Sequence, residues 1–276
     1  MGGGIVAAWS CFASGAPCGY TGAMDDRALL NLAADLARRA GAVILAVRER
    51  GFETLSKRDA SPVTEADHAA EALILEGLRA AAPHIPVIAE EETEAGVKHA
   101  VGREYWLVDP LDGTREFAAL RDEFTVNIGL IRDGRPVLGV VGVPAYGELF
   151  GGMIGGGAWK RTGTGERAIR VRVPPAEGIH VLASRHYSTD PRLNVFLQGR
   201  TVAQVTNMGS ALKIVRVAEG AGDLYPRFGR TMEWDTAAPQ AVLEAAGGQL
   251  CGMDGAVLGY GKPGWENPPF VCTGAS

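Results

Sequence analysis

The chain has 276 residues, 46% of them hydrophobic and 21% charged, with a formal net charge of −5. That length suits one large domain or two small packed ones and can bury a sizeable core. An acidic balance without a lysine- or arginine-rich block argues against a duplex nucleic-acid binder, and no apolar run reaches the roughly 18 residues that span a bilayer. Cys11, Cys18, Cys251 and Cys272 show neither CxxC nor zinc-like spacing. They read as reduced thiols, with a Cys11–Cys18 disulfide as the alternative.

Residues 1–23 are small, weakly apolar and lack the basic region that precedes a secretory core. They are expected to be a poorly ordered extension, with Met24 as the natural start. Helical patterning then begins abruptly. Leu29, Leu32, Leu36, Ala40, Ile44 and Val47 recur at three- and four-residue steps, predicting a helix over 25–50 capped by Asp25 or Asp26 and ended by Gly51. A second helix is predicted over 64–82, with Thr64 as N-cap, Glu65 and Asp67 in its first turn, and Pro83 as its stop.

Residues 86–89 read as a short strand running into Glu90, Glu91 and Glu92, and Trp106–Val108 as another running into Asp109. FTVNIGLI, a turn at Asp133-Gly134 and PVLGVVGVP form a hairpin. Residues 147–160 are expected to add a third strand, completing an antiparallel meander. The second half restarts with the strand IHVLAS, then a helix near 190–198, the strand TVAQV, and helices over 209–220 and 235–246. Gly247-Gly248 suits a C-cap for the last of these. The pattern predicts two packed α/β lobes, 24–173 and 174–276, divided near Pro174-Pro175.

The sharpest chemical signal is WLVDPLDGTREF, residues 106–117. An apolar strand ends at Asp109, Pro110 and Gly113 are expected to turn the chain, and Asp112 follows. Two carboxylates aimed into one space repel, so they need cations or shifted pKa values. All-oxygen ligation favours magnesium, calcium or manganese, and the Leu111 carbonyl can add a neutral oxygen. Gly113 and Thr114 open a short helix whose free amides favour an anion. An ordinary Asp-Pro turn explains the same residues without chemistry. Glu90 stands at a second strand end. Asp235 stands at a helix start, where it could equally be an N-cap, and Asp67 could be a first-turn residue favoured by the helix dipole.

Taken in order, Glu90-Glu91, Asp109-Pro110-Leu111-Asp112-Gly113-Thr114 and Trp234-Asp235-Thr236-Ala237-Ala238 resemble the motifs of the magnesium-dependent, lithium-sensitive phosphatase superfamily that includes inositol monophosphatases. The resemblance covers about residues 25–272. Within it, several stretches look like 3'(2'),5'-bisphosphate nucleotidases of the CysQ type. In the first half these are Ser61 to Asp67, Arg115-Glu116-Phe117 where inositol monophosphatases more often carry Thr-Asn-Phe, and Glu123 to Ile128. In the second half they are Gly209 to Lys213, Asp223 to Arg227 and Thr231 to Asp235. Ala211 departs from the pattern, where the family often has a second serine, and puts one substrate contact in doubt.

The resemblance implies a layered α-β-α-β-α sandwich of the inositol monophosphatase and fructose bisphosphatase type. It implies a phosphomonoesterase that takes the 3'-phosphate from adenosine 3',5'-bisphosphate, leaving AMP, in the service of sulfate assimilation. Two to three Mg²⁺ ions are implied: one on Glu90, Asp109 and the Leu111 carbonyl, a second on Asp109, Asp112 and Asp235, and a weaker third on Glu90. Asp67 and Thr114 would orient and deprotonate the attacking water, and the amides of Gly113 and Thr114 would hold the phosphate. Ser184, His186, Ser210, Lys213 and Arg227 are candidates for the nucleotide and its second phosphate, although His186 alone reads as a loop histidine and Lys213 alone as a solvated helix residue.

The same chemistry on an inositol, histidinol or fructose phosphate is the nearest alternative. A non-catalytic relative is disfavoured, because all four implied metal carboxylates are present. The expected partner is a small phosphorylated nucleotide, with no nucleic-acid duplex and no integral membrane segment. A monomer or homodimer is expected, in the cytoplasm or attached peripherally at the inner face of the cell membrane.

Overall fold

A seven-stranded sheet carries two of the acidic residues singled out above, Asp109 and Asp112. The computed structural model describes residues 24–57, 62–99, 101–185 and 189–275. The expectations for residues 1–23 and for His186 lie outside these.

Helix α1 (Asp26–Arg50) begins where the Asp25 carboxylate accepts from the Ala28 N–H at 2.7 Å and ends at Gly51, with φ 86°. Strands β1 (Thr54–Ser56) and β2 (Pro62–Thr64) pair antiparallel. Helix α2 (Glu65–Ala81) opens on a reciprocal cap: the Thr64 hydroxyl accepts from Ala66 N–H, and the Asp67 carboxylate accepts from Thr64 N–H at 2.8 Å. Leu30, Leu36, Ile44, Ile74 and Leu78 on these helices pack against Val108, Val126, Ile128 and Val140 of the sheet.

Strand β3 (Val87–Ala89) runs parallel to β4 (Glu104–Asp112), and each is followed by a five-residue helix, α3 (Glu90–Glu94) and α4 (Thr114–Ala118). The meander continues through β5 (Thr125–Arg132), β6 (Arg135–Val143), β7 (Glu148–Met153), β8 (Gly157–Thr162) and β9 (Gly165–Ile169). The sheet order is β3-β4-β5-β6-β7-β8-β9. Asp133 and Gly134, at φ 52° and 73°, make the predicted turn between β5 and β6.

Three local expectations change. Residues 147–160 hold one strand and most of a second, because Gly155 and Gly157, both at positive φ, fold the segment back on itself. Glu90 to Glu92 begin a helix rather than end a strand. Strand β4 does not stop at Asp109: it pairs with β5 as far as Asp112, with a register break between the two aspartates. Pro110 lies within that break, where a missing N–H costs no ladder bond.

The second half builds a five-stranded mixed sheet and a two-stranded pair. Its elements are β10 (Ile179–Ser184), α5 (Pro191–Leu197), β11 (Val202–Met208), α6 (Leu212–Ala218), β12 (Leu224–Arg227), β13 (Thr231–Met232), α7 (Glu233–Ala245), β14 (Gln249–Gly252), β15 (Glu266–Asn267) and β16 (Phe270–Thr273). The larger sheet has the order β11-β10-β12-β16-β14, and α5 crosses between the parallel strands β10 and β11. Helix α7 packs on β5 and β6 of the first sheet and on β14 of the second. Helices α1 and α2 cover the opposite face of the first sheet, so helices and sheets alternate in layers, as the mixed α/β expectation required.

A row of glycines sets how closely α7 approaches. Gly129, Gly139 and Gly152 are paired across β5, β6 and β7. A Cβ on Gly139 would lie 2.4 Å from the Ala238 carbonyl oxygen, and one on Gly152 2.6 Å from Val242 Cα. Helix backbone therefore rests on strand backbone. Gly139→Ala is expected to destabilise the protein by about 1–3 kcal/mol through overpacking, read as a lower urea midpoint at unchanged m-value. An unchanged midpoint would show that the contact yields easily.

Candidate active site

Six acidic or hydroxyl side chains reach one region from five chain positions. Asp67 comes from the first turn of α2, Glu90 from the start of α3, Asp109 and Asp112 from the break in β4, Thr114 from the start of α4, and Asp235 from the first turn of α7. Glu90, Asp112, Gly113, Thr114 and Asp235 line a cavity of about 410 Å³. Asp67 and Asp109 are buried at 1% and 2% exposure and do not line it.

The carboxylates feel one another. Burial, followed by the charges of Glu90, Asp112 and Asp235, pushes Asp109 well above the usual carboxylate range. Burial and the Asp112 charge do the same to Asp235, against a hydrogen bond from Met232 N–H at 2.9 Å. Burial also raises Asp112, opposed by Lys213 and by the Ala211 N–H, which donates to its Oδ2. Glu90 is raised by burial, with Lys57 opposing.

The cap readings of Asp67 and Asp235 hold together with the site reading, because a carboxylate has two oxygens. Oδ2 of Asp67 accepts from the Thr64 N–H and hydroxyl, each at 2.8 Å. Its Oδ1 lies 3.1 Å from the Thr114 hydroxyl, which is also 3.0 Å from the Leu111 carbonyl oxygen. Burial raises the Asp67 pKa despite these donors.

The second half supplies a basic wall. Lys213 is not solvated, as its helix position alone suggested: it is 2% exposed and donates to the carbonyls of Ser210 at 2.6 Å and Met208 at 3.2 Å. Burial, with Arg227 adding, pushes its pKa down to about 7. Arg227 donates to the Ser184 hydroxyl at 3.1 Å. Ser184, Ser210, Lys213 and Arg227 all line the cavity. Ser210 adopts φ 49°, and a Cβ on Gly113 would lie 3.2 Å from the Ser210 Cβ, so the two turns fit closely. At position 211 it is the main chain that contacts Asp112, so alanine there keeps that contact.

Lys57 escaped the sequence reading. Its ammonium lies 2.8 Å from Glu90, 2.7 Å from Glu91 and 3.0 Å from Glu94. Burial works against its charge, yet Glu90 and Glu91 hold its pKa above the usual lysine range. Glu71 was also missed; it accepts from the N–H groups of Glu91 and Glu92 at 2.8 and 2.9 Å and anchors the helix that carries Glu90. A signal existed, since Glu71 falls on the buried stripe of α2 between Ala70 and Ile74. Glu123 accepts from Arg185 and from Gly209 N–H, joining the two halves beside the cavity.

In charge and chemistry the acid wall fits a hard divalent cation. Its donors are oxygens, they are desolvated, and burial pushes each toward protonation, a cost that a bound cation would offset. Among the described residues no three acidic side chains already surround a common point, so binding a cation would draw them inward.

A model of the inositol monophosphatase family matches residues 25–272. The chain belongs to the inositol monophosphatase family. It is similar to the 3'(2'),5'-bisphosphate nucleotidase CysQ of Salmonella typhimurium, at 44% identity over 89% of this chain and 99% of that one. The CysQ of Escherichia coli K12 is 42% identical over 88% of this chain and 98% of its own. Among solved structures, CysQ from Bacteroides thetaiotaomicron superposes with a TM-score of 0.77 at 32% identity, covering 90% of this chain and 97% of that one. An inositol monophosphatase from Anabaena gives 0.73 at 29% identity, covering 91% and 92%. Glu90, the stretch from Asp112 to Thr114, and Asp235 with Thr236 come from three separate parts of the matched region and line this one cavity.

The metal-free site predicts a pH dependence. Burial pushes Glu71 up to about 7 and Glu91, with the Glu90 charge, to about 8, against ordinary values of 4.5. Between pH 5 and 7 the native state therefore holds protons that the unfolded chain has lost, and stability falls as pH rises. A smaller opposite contribution comes from His99, whose pKa burial lowers, and above pH 7 Lys213 opposes the trend. Thermal melts in EDTA should show Tm falling from pH 5 to 7, with a shallower fall in Glu71→Gln. A rising Tm would contradict this account.

Proposed function

We propose that the chain is a magnesium-dependent 3'(2'),5'-bisphosphate nucleotidase that removes the 3'-phosphate of adenosine 3',5'-bisphosphate to leave AMP. The observation that carries the reading is one cavity lined both by the carboxylates Glu90, Asp112 and Asp235 and by the cationic Lys213 and Arg227. A phosphate cannot approach the acid wall unaided: two like charges 4 Å apart repel by about 4 kcal/mol at an effective dielectric of 20. Lys213 and Arg227 suit the second phosphate of a bisphosphate, which an inositol monophosphate lacks. The nucleotidase relatives point the same way.

Glu90, Asp109, Asp112 and Asp235, with the Leu111 carbonyl, would hold two to three Mg²⁺ ions. Bound there, Mg²⁺ neutralises charge on the substrate and acidifies water. The chain's own residues move the proton. Thr64 fixes Asp67 so that Oδ1 faces Thr114. The Thr114 hydroxyl gives its proton to Asp67 and takes one from the attacking water, acting as a relayed general base. Burial of Asp67 favours accepting that proton. Gly113, at φ 94°, turns the chain so that its own amide and that of Thr114 can meet the phosphate. Ser184 and Ser210 flank the nucleotide; no covalent phosphoenzyme is needed.

The two-lobe division, 24–173 and 174–276, belongs to the same reading. It falls in the link between β9 and β10, which separates the two large sheets. A monomer or homodimer in the cytoplasm completes it. No helix among the described residues is long and apolar enough to cross a membrane, and no described feature adds support to peripheral attachment.

Phosphate release with Mg²⁺ should favour adenosine 3',5'-bisphosphate over inositol 1-phosphate by at least about tenfold in kcat/KM, or 1.4 kcal/mol. A preference for the inositol ester would favour the monophosphatase alternative. Asp112→Asn should cut kcat by at least about 100-fold while leaving the circular dichroism spectrum unchanged. Near-normal release from that variant would remove Asp112 from the site.

A further inference from the structure

Beneath the acid wall, β5 presents two fully buried polar residues, Thr125 and Asn127. They stand directly opposite Asp112 and Asp109 in the ladder. Opposed residues on antiparallel strands project to the same side, with Cβ atoms about 4.5–5.5 Å apart. Aspartates three positions apart would normally alternate to opposite faces of a strand. The break at Pro110-Leu111 absorbs one residue and brings both to the face of Thr125 and Asn127.

The two polar residues are poorly used as they stand. Oδ1 and Nδ2 of Asn127 are both buried without a hydrogen-bond partner. The Thr125 hydroxyl is 3.5 Å from Asp112 Oδ2, at the outer limit of a hydrogen bond. An unpaired buried amide destabilises a core, and an apolar side chain of similar volume would serve packing better. Leu111 N–H already engages Oδ1 of Asp109 at 3.0 Å, and a carboxylate has acceptor capacity beyond one donor.

We infer that Asn127 is a positioning residue for metal binding: its amide donates to the Asp109 carboxylate once a divalent cation draws that carboxylate inward. This rests on the magnesium-dependent reading above. In the metal-free protein the amide lies idle, and its contribution is realised only on binding. Thr125 serves Asp112 in the same way. Donors behind a ligating carboxylate fix its orientation.

Asn127→Val and Asn127→Thr form a near-isosteric pair that differs in a hydroxyl. Mg²⁺ alone is titrated by calorimetry, and the metal-free proteins are melted in EDTA. Asn127→Val should weaken Mg²⁺ binding about tenfold, and Asn127→Thr by no more than about threefold. The metal-free Tm of Asn127→Val should match or exceed that of Asn127→Thr. Equal Mg²⁺ affinity in the pair overturns the inference, and so does a metal-free Tm well below wild type in Asn127→Val alone, which would show the amide already paired. Should both prove too large to fold, Asn127→Ser against Asn127→Ala makes the same comparison: tighter binding by Ser supports it, and equal binding overturns it. A wild-type protein that takes up no Mg²⁺ overturns the proposed function as well, whereas variants that match a binding wild type overturn only the role of Asn127.

Discussion

Repulsion among Glu90, Asp109, Asp112 and Asp235 is the constraint around which the surrounding structure is organised. Each lies in the field of at least one of the others, and burial denies them the screening that water would give. The fold answers with fixed local donors. Leu111 N–H meets Asp109, Ala211 N–H meets Asp112, Met232 N–H meets Asp235, and the Lys57 ammonium meets Glu90. Three of these are main-chain groups, which cannot swing away, and two are supplied from the second half of the chain. Holding the acids thus requires both halves to be folded and apposed.

The same economy explains how one carboxylate can serve structure and chemistry. Asp67 and Asp235 each close the first turn of a helix with one oxygen. Removing either side chain would fray a helix start as well as alter the site. Charge-conserving or amide replacements are therefore more informative than alanine at these positions.

Much of this was legible in the sequence, for physical reasons that differ by residue. The caps of α1 and α2 were readable because Asp25 and Thr64 act within three residues of themselves. The meander was readable from alternation and from Asp133-Gly134. The continuation of β4 through Pro110 was not, because pairing with β5 overrides the local tendency of Pro to turn, and the chain turns only at Gly113. The glycines between 151 and 157 hid a strand boundary, since some lie within strands and others make the turn. Lys57 was invisible because the short hairpin β1–β2, rather than any motif spacing, carries it to Glu90 and Glu91. Lys213 was half legible: the resemblance named it, but its place on a predicted helix alone looked solvated until its carbonyl partners were known.

The glycine row under α7 bears on how the acid wall keeps its dimensions. Asp235 arrives on that helix, while Asp109 and Asp112 arrive on the sheet below it. With no side chain interposed at Gly129, Gly139 or Gly152, the gap between the two supports is the thickness of peptide against peptide. Rotamer hops, which let ordinary interfaces breathe, have nothing to act on there. The distance between the two supports is thereby set by backbone contact and changes only if the whole helix lifts, while the acidic side chains they carry keep their own freedom to turn.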